Sequence, residues 1–391
     1  MKITRLFKDF FESEKAGGLI LIACTLISLG LANSYLGENY QHFWHAEIGE
    51  RPIEFWINDG LMTVFFLLIG LEIEREIYIG ELSSIKNALL PISAAIGGMI
   101  IPALIHYGFN HGTPFQNGIG IPMATDIAFA LGILSLLGNK VPTSIKIFLT
   151  ALAIIDDLGA IIIIAVFYSK SFLLEYFGLA MLLFGAMLVL NRLKVHKIWI
   201  YLVLGGLMWY CMLHSGIHAT ITGILLAFAI PFGTGGKKSP SYILQHRLHR
   251  PVAFIILPLF ALANTGIIIP ENWSEGLVST NSLGISAGLI FGKPVGIVMF
   301  SILSVAVGLC TLPGGIRKRD LIGVGFLAGI GFTMSIFITL LAFDEADIIT
   351  HSKIAVFAAS LIAGFLGFII LKITLPNKIE EEEEVILDLS E

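Results

Sequence analysis

The chain has 391 residues, of which 56% are hydrophobic and 14% charged, with a net charge of −5 and a mean hydropathy of +0.86. Soluble domains carry roughly 25% charged residues, so this composition excludes a water-facing surface wrapped around an ordinary core. The scattered basic residues exclude a nucleic-acid footprint, and three cysteines in apolar stretches, Cys24, Cys211 and Cys310, match no metal-binding spacing.

Residues 1–15 read as an amphipathic interfacial helix. Asp9, Glu12 and Glu14 spoil the basic region that a signal peptide needs, and the apolar run continues past Cys24. A span needs about 20 mostly apolar residues. Twelve candidates follow, near 16–34, 57–78, 88–107, 119–137, 144–168, 172–191, 198–213, 216–232, 251–269, 283–305, 320–343 and 353–374. The seventh and eighth are short enough to form one hairpin. Loop charge tests this count: one set of alternate loops carries 20 Lys and Arg, the other only Arg51, Lys170 and Lys353. The positive-inside rule then places both termini in the cytoplasm. The reading is an all-α polytopic membrane protein, with 1–375 as a single transmembrane domain and 376–391 as an acidic, disordered cytoplasmic tail containing Glu380 to Glu384. No loop is long enough for a soluble catalytic domain, so an enzyme is not expected, and nothing calls for a cofactor.

Ionisable residues inside spans each cost about 2.5–3.5 kcal/mol on insertion scales and mark function. The short list is Asp59, Glu72, Asp126, Asp156, Asp157 and Lys293. Asp156 and Asp157 lie mid-run between Ala151-Leu-Ala-Ile-Ile and Ile161-Ile-Ile-Ile. Neighbours on a helix point about 100° apart, so one carboxylate can face a cavity while the other meets a neighbouring helix. Carboxylates this close hold their protons unequally, as a proton-coupled site requires. A salt-bridged packing pair is the plainer reading, although one charge would serve that end.

Asp126 lies in Gly120-Ile-Pro-Met-Ala-Thr-Asp-Ile-Ala-Phe, where Pro122 removes a backbone donor and Thr125 competes for backbone bonds. This looks like an interrupted helix lining a cavity; the alternative is an N-cap aspartate at a helix start. Gly323, Gly325, Gly329 and Gly331, followed by Thr333 and Ser335, mark a second interruption or a close helix contact. One interrupted span in each half of a chain points to an inverted-repeat transporter with its site between them. Lys293, in Phe291-Gly-Lys-Pro-Val-Gly296, needs a carboxylate partner if it is interior rather than snorkelling; Asp156 is the expected partner, with Asp157 left for an ion. His218 sits at the outer end of a span, and His246 and His249 in the basic loop before the ninth. All three are candidates for a pH response, or simply hydrogen-bonded histidines.

These stretches, with Phe65-Phe-Leu-Leu-Ile-Gly-Leu-Glu72, Ala124-Thr-Asp-Ile-Ala-Phe-Ala-Leu131, Ser215-Gly-Ile-His-Ala-Thr220 and Gly329-Ile-Gly-Phe-Thr-Met-Ser-Ile-Phe337, run in order along nearly the whole chain. Together they resemble the NhaA family of Na+/H+ antiporters, an established example of inverted repeats. The resemblance implies twelve spans with crossing discontinuous helices at the fourth and eleventh. It implies Na+ or Li+ binding at Asp157 with Asp156 and the Thr125 region, charge compensation by Asp126, and coupling through Lys293. Glu72 and the histidine loop would belong to a cytoplasmic pH-sensing funnel, and Gln245 departs from the glutamate usual before the first histidine there. The expected function is electrogenic, pH-regulated export of Na+ and Li+ against external protons in the bacterial inner membrane, serving pH and sodium homeostasis. The expected partners are Na+, Li+, H+ and the bilayer, and a homodimer is compatible with the reading. The alternatives are another proton-coupled cation transporter or a passive cation channel. An intramembrane aspartyl protease would need Tyr-Asp and Gly-x-Gly-Asp settings that the sequence lacks.

Overall fold

A computed structural model of the protein describes residues 5–168, 172–269 and 273–375. The tail expected over 376–391 lies outside the described residues, as do residues 1–4 and the side chains of 5–15, where an interfacial helix was expected. Apolar segments in lipid must satisfy their own backbone groups, which a helix does within itself. The described chain is accordingly helical nearly throughout, with one two-stranded antiparallel ribbon, β1 (Glu47–Ile48) and β2 (Arg51–Pro52).

Helix α1 (Arg5–Ala32) runs unbroken, and α2 (Gly37–His45) turns away from it through 114°. After the ribbon come α3 (Ile53–Ile79), with a π-helical turn at Trp56–Leu61, and α4 (Ile85–Asn110), which contains Pro91 and Pro102. A 3-10 arm (Pro114–Met123) leads into α5 (Ile127–Ser135) with a 43° bend. The helices α6 (Thr143–Phe167), α7 (Leu174–Arg192), α8 (Ile198–Ser215) and the short α9 (Ile221–Ala229) follow. Then come α10 (Pro240–Pro251), a π-helical turn (Val252–Ile256) and α11 (Leu257–Asn264). Helix α12 (Thr280–Ala306) has a π-helical turn at Gly288–Gly292, directly before Lys293. Helices α13 (Lys318–Ala328) and α14 (Phe332–Ala342) meet at 47°, and α15 (Ala346–Thr374) ends the described chain.

Among the described residues seven helices are long and apolar enough to cross a bilayer, or ten if each bent pair is one span. One difference from the sequence reading concerns 240–251, expected as loop and found as helix α10. Ser239 caps it by accepting from Tyr242 N at 3.3 Å, and Pro240 occupies the first turn, where its missing N–H is harmless. His246 and His249 therefore stand on a helix.

The connections sort to two ends. At one, Arg75 donates to Gly235 O at 3.4 Å, Arg317 donates to Thr374 O, and Gly315 packs against Ser144. At the other, Leu173 N bonds Ser215 O at 2.9 Å, Asn110 bonds Thr280 O at 3.2 Å, and Asn33 bonds Ile267 O at 2.8 Å. The main core joins residues of α1, α3 to α6 and α11 to α15, and a second cluster holds α7, α8 and α9 together around Met187, Tyr201 and Leu226, with Leu244 of α10 beside them. Helices α4 and α12 touch backbone to backbone: a Cβ on Gly97 would collide with Gly296 O, and one on Gly296 with Gly97 O. That approach brings Lys293 to the middle of the bundle.

Candidate functional site

The 3-10 arm begins at Thr113, whose hydroxyl accepts from Phe115 N, and ends after Pro122–Met123 in an extended run through Asp126. Opposite it, the chain between α13 and α14 is opened by Gly329 and Gly331. The two openings are bonded to each other. Asp126 N donates to Ile330 O at 2.7 Å, Thr125 Oγ1 lies 2.9 Å from Ala328 O, and Ser335 Oγ donates to Ile121 O at 2.6 Å. Backbone groups freed by the breaks thus find partners across the crossing.

Asp126 serves two helix starts at once. Its Oδ1 accepts from Phe129 N at 2.9 Å, capping α5, and its Oδ2 accepts from Thr333 N at 3.0 Å and Thr333 Oγ1 at 2.6 Å, at the start of α14. Helix N-termini carry partial positive charge, so one buried carboxylate faces two of them. The N-cap reading of Asp126 is the geometry seen, at two helix starts rather than one.

Asp156 and Asp157 lie on α6, 0% and 1% exposed. Lys293, also fully buried, has three ammonium hydrogens and three acceptors: Asp156 Oδ2 at 3.0 Å, Thr125 Oγ1 at 2.6 Å and Met123 O at 2.5 Å. Thr125 in turn reaches Asp156 Oδ2 at 2.7 Å. Lys293, Asp156 and Thr125 form one closed network, whereas Asp156 Oδ1 and Asp157 Oδ1 are buried without a hydrogen-bond partner. These two buried oxygens have acceptor capacity that no protein group uses. Among the described residues no group of three or more His, Cys, Asp and Glu side chains gathers as a metal centre.

The four pH-response candidates do not come together. Glu72 on α3 is 6% exposed, with its Oε1 3.8 Å from His249 Nδ1, within ion-pair reach but too long for a hydrogen bond. The His246 ring stacks on Tyr242 one turn away, and the Arg75 guanidinium lies over the same Tyr242 ring. His218 is at the opposite end, where its Nε2 donates to Tyr168 O at 2.9 Å.

Three residues outside the candidate site read from the sequence touch these groups. Thr333 completes the Asp126 cap, and its signal was its place beside the glycine run. Glu74, 5% exposed, accepts from Ser241 Oγ at 3.2 Å near the start of α10, so α3 meets that helix with a carboxylate at each end; its signal was a second acid two residues after Glu72. Tyr168 bonds the arm through its hydroxyl and His218 through its carbonyl, and nothing in the sequence marks it, because its hydroxyl meets backbone atoms and His218 meets its own backbone.

The model of the Na+/H+ antiporter 1 family matches residues 8–371. The Na+/H+ antiporter NhaA of Flavobacterium psychrophilum is 62% identical over 383 residues, covering 98% of this chain and 100% of that protein. The NhaA of Cytophaga hutchinsonii is 59% identical over 382 residues, covering 98% and 99%, and that of Vibrio cholerae 47% identical over 377 residues, covering 95% and 99%. A match across nearly the whole length, on a multi-pass helical bundle with its charges gathered at one crossing, settles the class as transporter rather than enzyme: the chain belongs to the NhaA family of Na+/H+ antiporters.

Proposed function

We propose that this protein exports Na+, and Li+ by the same route, in exchange for external protons, with Asp157 and Asp156 as the ion ligands and Lys293 as the coupling group. The observation that carries this reading is the Lys293 network: a fully buried ammonium bonded to Asp156, Thr125 and Met123 O, beside carboxylate oxygens left without partners. A cation entering those oxygens competes with protons for the same carboxylates. If its arrival also releases Lys293 from Asp156, a second proton leaves with it. More than one proton then moves per Na+, and the cycle is electrogenic and driven by the membrane potential.

In this reading the chain crosses the inner membrane twelve times. The 3-10 arm with α5 forms the fourth span, and α13 with α14 the eleventh. The basic connections face the cytoplasm, with both termini on that side, a reading supported by the bias of 20 Lys and Arg against 3 between alternate loops. Asp126 neutralises the helix ends at the crossing, Thr125 assists at the ion, and Glu72, His249 and His246 tune entry at the cytoplasmic end, with His218 acting from the outside. Access alternates by rocking around the crossing.

Everted membrane vesicles test it. Na+ added at alkaline pH should release the accumulated protons, Li+ should do the same, and Asp157→Asn should abolish both responses. Unchanged Na+-driven proton release in that variant would sink the assignment.

A further inference from the structure

Tyr168 stands one residue beyond α6 and is 5% exposed. Its hydroxyl donates to Asn117 O at 2.6 Å and accepts from Gly120 N at 3.3 Å, both in the 3-10 arm. The arm comes this close because residue 120 has no side chain: a Cβ there would lie 2.8 Å from the Tyr168 hydroxyl.

The position of this contact gives it meaning. Three residues after Gly120 is Met123, whose carbonyl accepts from Lys293, and two further on is Thr125, which bonds Asp156. On the other partner, Asp157 lies eleven residues before Tyr168 on α6, about 17 Å away at 1.5 Å per residue. The arm and α6 are therefore fastened at two levels: by Thr125–Asp156 at the site, and by Tyr168 at the far end. With the first fastening alone, the arm could pivot about Thr125. The second removes that freedom, and functional constellations must be held to within about 0.5 Å.

We propose that Tyr168 is a positioning residue for the ion site, holding the 3-10 arm to α6 so that Thr125, Met123 O and the Asp156–Asp157 pair move as one body during exchange. It acts through the ligands without touching the ion. The proposal rests on the reading that these groups bind Na+.

The test is Na+-dependent proton flux in everted vesicles for wild type, Tyr168→Phe, Gly120→Ala and the double variant, with thermal unfolding of each purified protein. Tyr168→Phe keeps the ring and removes both hydrogen bonds. Its apparent KM for Na+ should rise about fivefold, the factor a net hydrogen bond commands, with the maximal rate and melting temperature retained. The ratio of Na+ to Li+ affinity should shift as well. Gly120→Ala, which pushes a methyl against the hydroxyl, should raise KM in the same way. In the Tyr168→Phe background the same methyl has no oxygen to meet and should add nothing. A wild-type KM in Tyr168→Phe, additive effects in the double variant, or a lowered melting temperature with unchanged KM each overturn the proposal. If Tyr168→Phe does not fold, an unchanged KM in Gly120→Ala overturns it and a raised KM with retained stability supports it. Wild-type vesicles without Na+-dependent proton flux would instead overturn the reading beneath it.

Discussion

Lys293 Nζ lies 3.0 Å from Asp156 Oδ2, with neither side chain exposed. The pair is oriented by Thr125, which accepts from the ammonium and reaches the same carboxylate oxygen. A buried ion pair of this kind is an equilibrium in waiting: either a proton or a metal cation on Asp156 alters the charge that Lys293 faces.

Replacing Lys293 by Met leaves Asp156 buried without its counter-charge. Breaking a buried pair from one side costs about 3–5 kcal/mol, so the variant should unfold at lower temperature in detergent. Any remaining exchange should also generate less membrane potential per Na+ in proteoliposomes. Unaltered stability together with unaltered electrogenicity would contradict the pairing.

The two aspartates should behave differently. Asp157→Asn removes the unpartnered carboxylate while leaving the Lys293 network intact, so folding should be preserved and Na+ binding lost. Asp156→Asn should lower stability as well, because Lys293 keeps only neutral acceptors. Isothermal titration with Na+ and thermal unfolding, run in parallel, separate the two; equal losses of stability would show that the pair is not divided in this way.

Asp126→Ala removes the cap of α5 and the contact with the start of α14. At about 1 kcal/mol per N-cap, the expected loss is about 2 kcal/mol, with slower exchange from a loosened crossing. Asp126→Asn keeps hydrogen-bonding oxygen at one helix and should fall between. If Ala and Asn variants both unfold as wild type does, the double cap contributes nothing.

Gly296→Val should abolish function by misassembly rather than by chemistry. The added side chain runs into Gly97 O, and overpacking costs about 1–3 kcal/mol even where neighbours can shift. Here the neighbour is backbone, so the protein should be recovered in low yield and lack Na+-dependent proton flux. Normal yield and activity would mean that α4 and α12 do not approach as described.

Gln245→Glu places a carboxylate one turn before His249 on α10, an i,i+4 relation that favours the charged imidazole. If loss of that charge opens the cytoplasmic entrance, the exchange-versus-pH curve should move to higher pH. A curve superimposable on the wild type would separate His249 from pH control.

The site was legible in the sequence to the extent that charge in an apolar run is a local signal. Asp126, Asp156, Asp157 and Lys293 stand out because each is costly where it lies, and Pro122 and the glycines from 323 to 331 stand out because they deny the helix its bonds. Glu74 was passed over because two acids in one helical turn resemble a solvated end, and only the arrival of Ser241 from α10 shows it buried.

By itself, then, the sequence determined a multi-pass helical membrane protein and a shortlist of groups too expensive to be idle, since hydropathy and insertion cost are properties of a segment. Only the tertiary structure decided who meets whom. It set which three acceptors take the Lys293 hydrogens, that one carboxylate caps helices more than 200 residues apart in the chain, and that Tyr168 reaches the arm across about 50 residues. Those are contacts between segments, fixed when the helices pack and Gly97 lets Gly296 come close, and no window along the chain contains them.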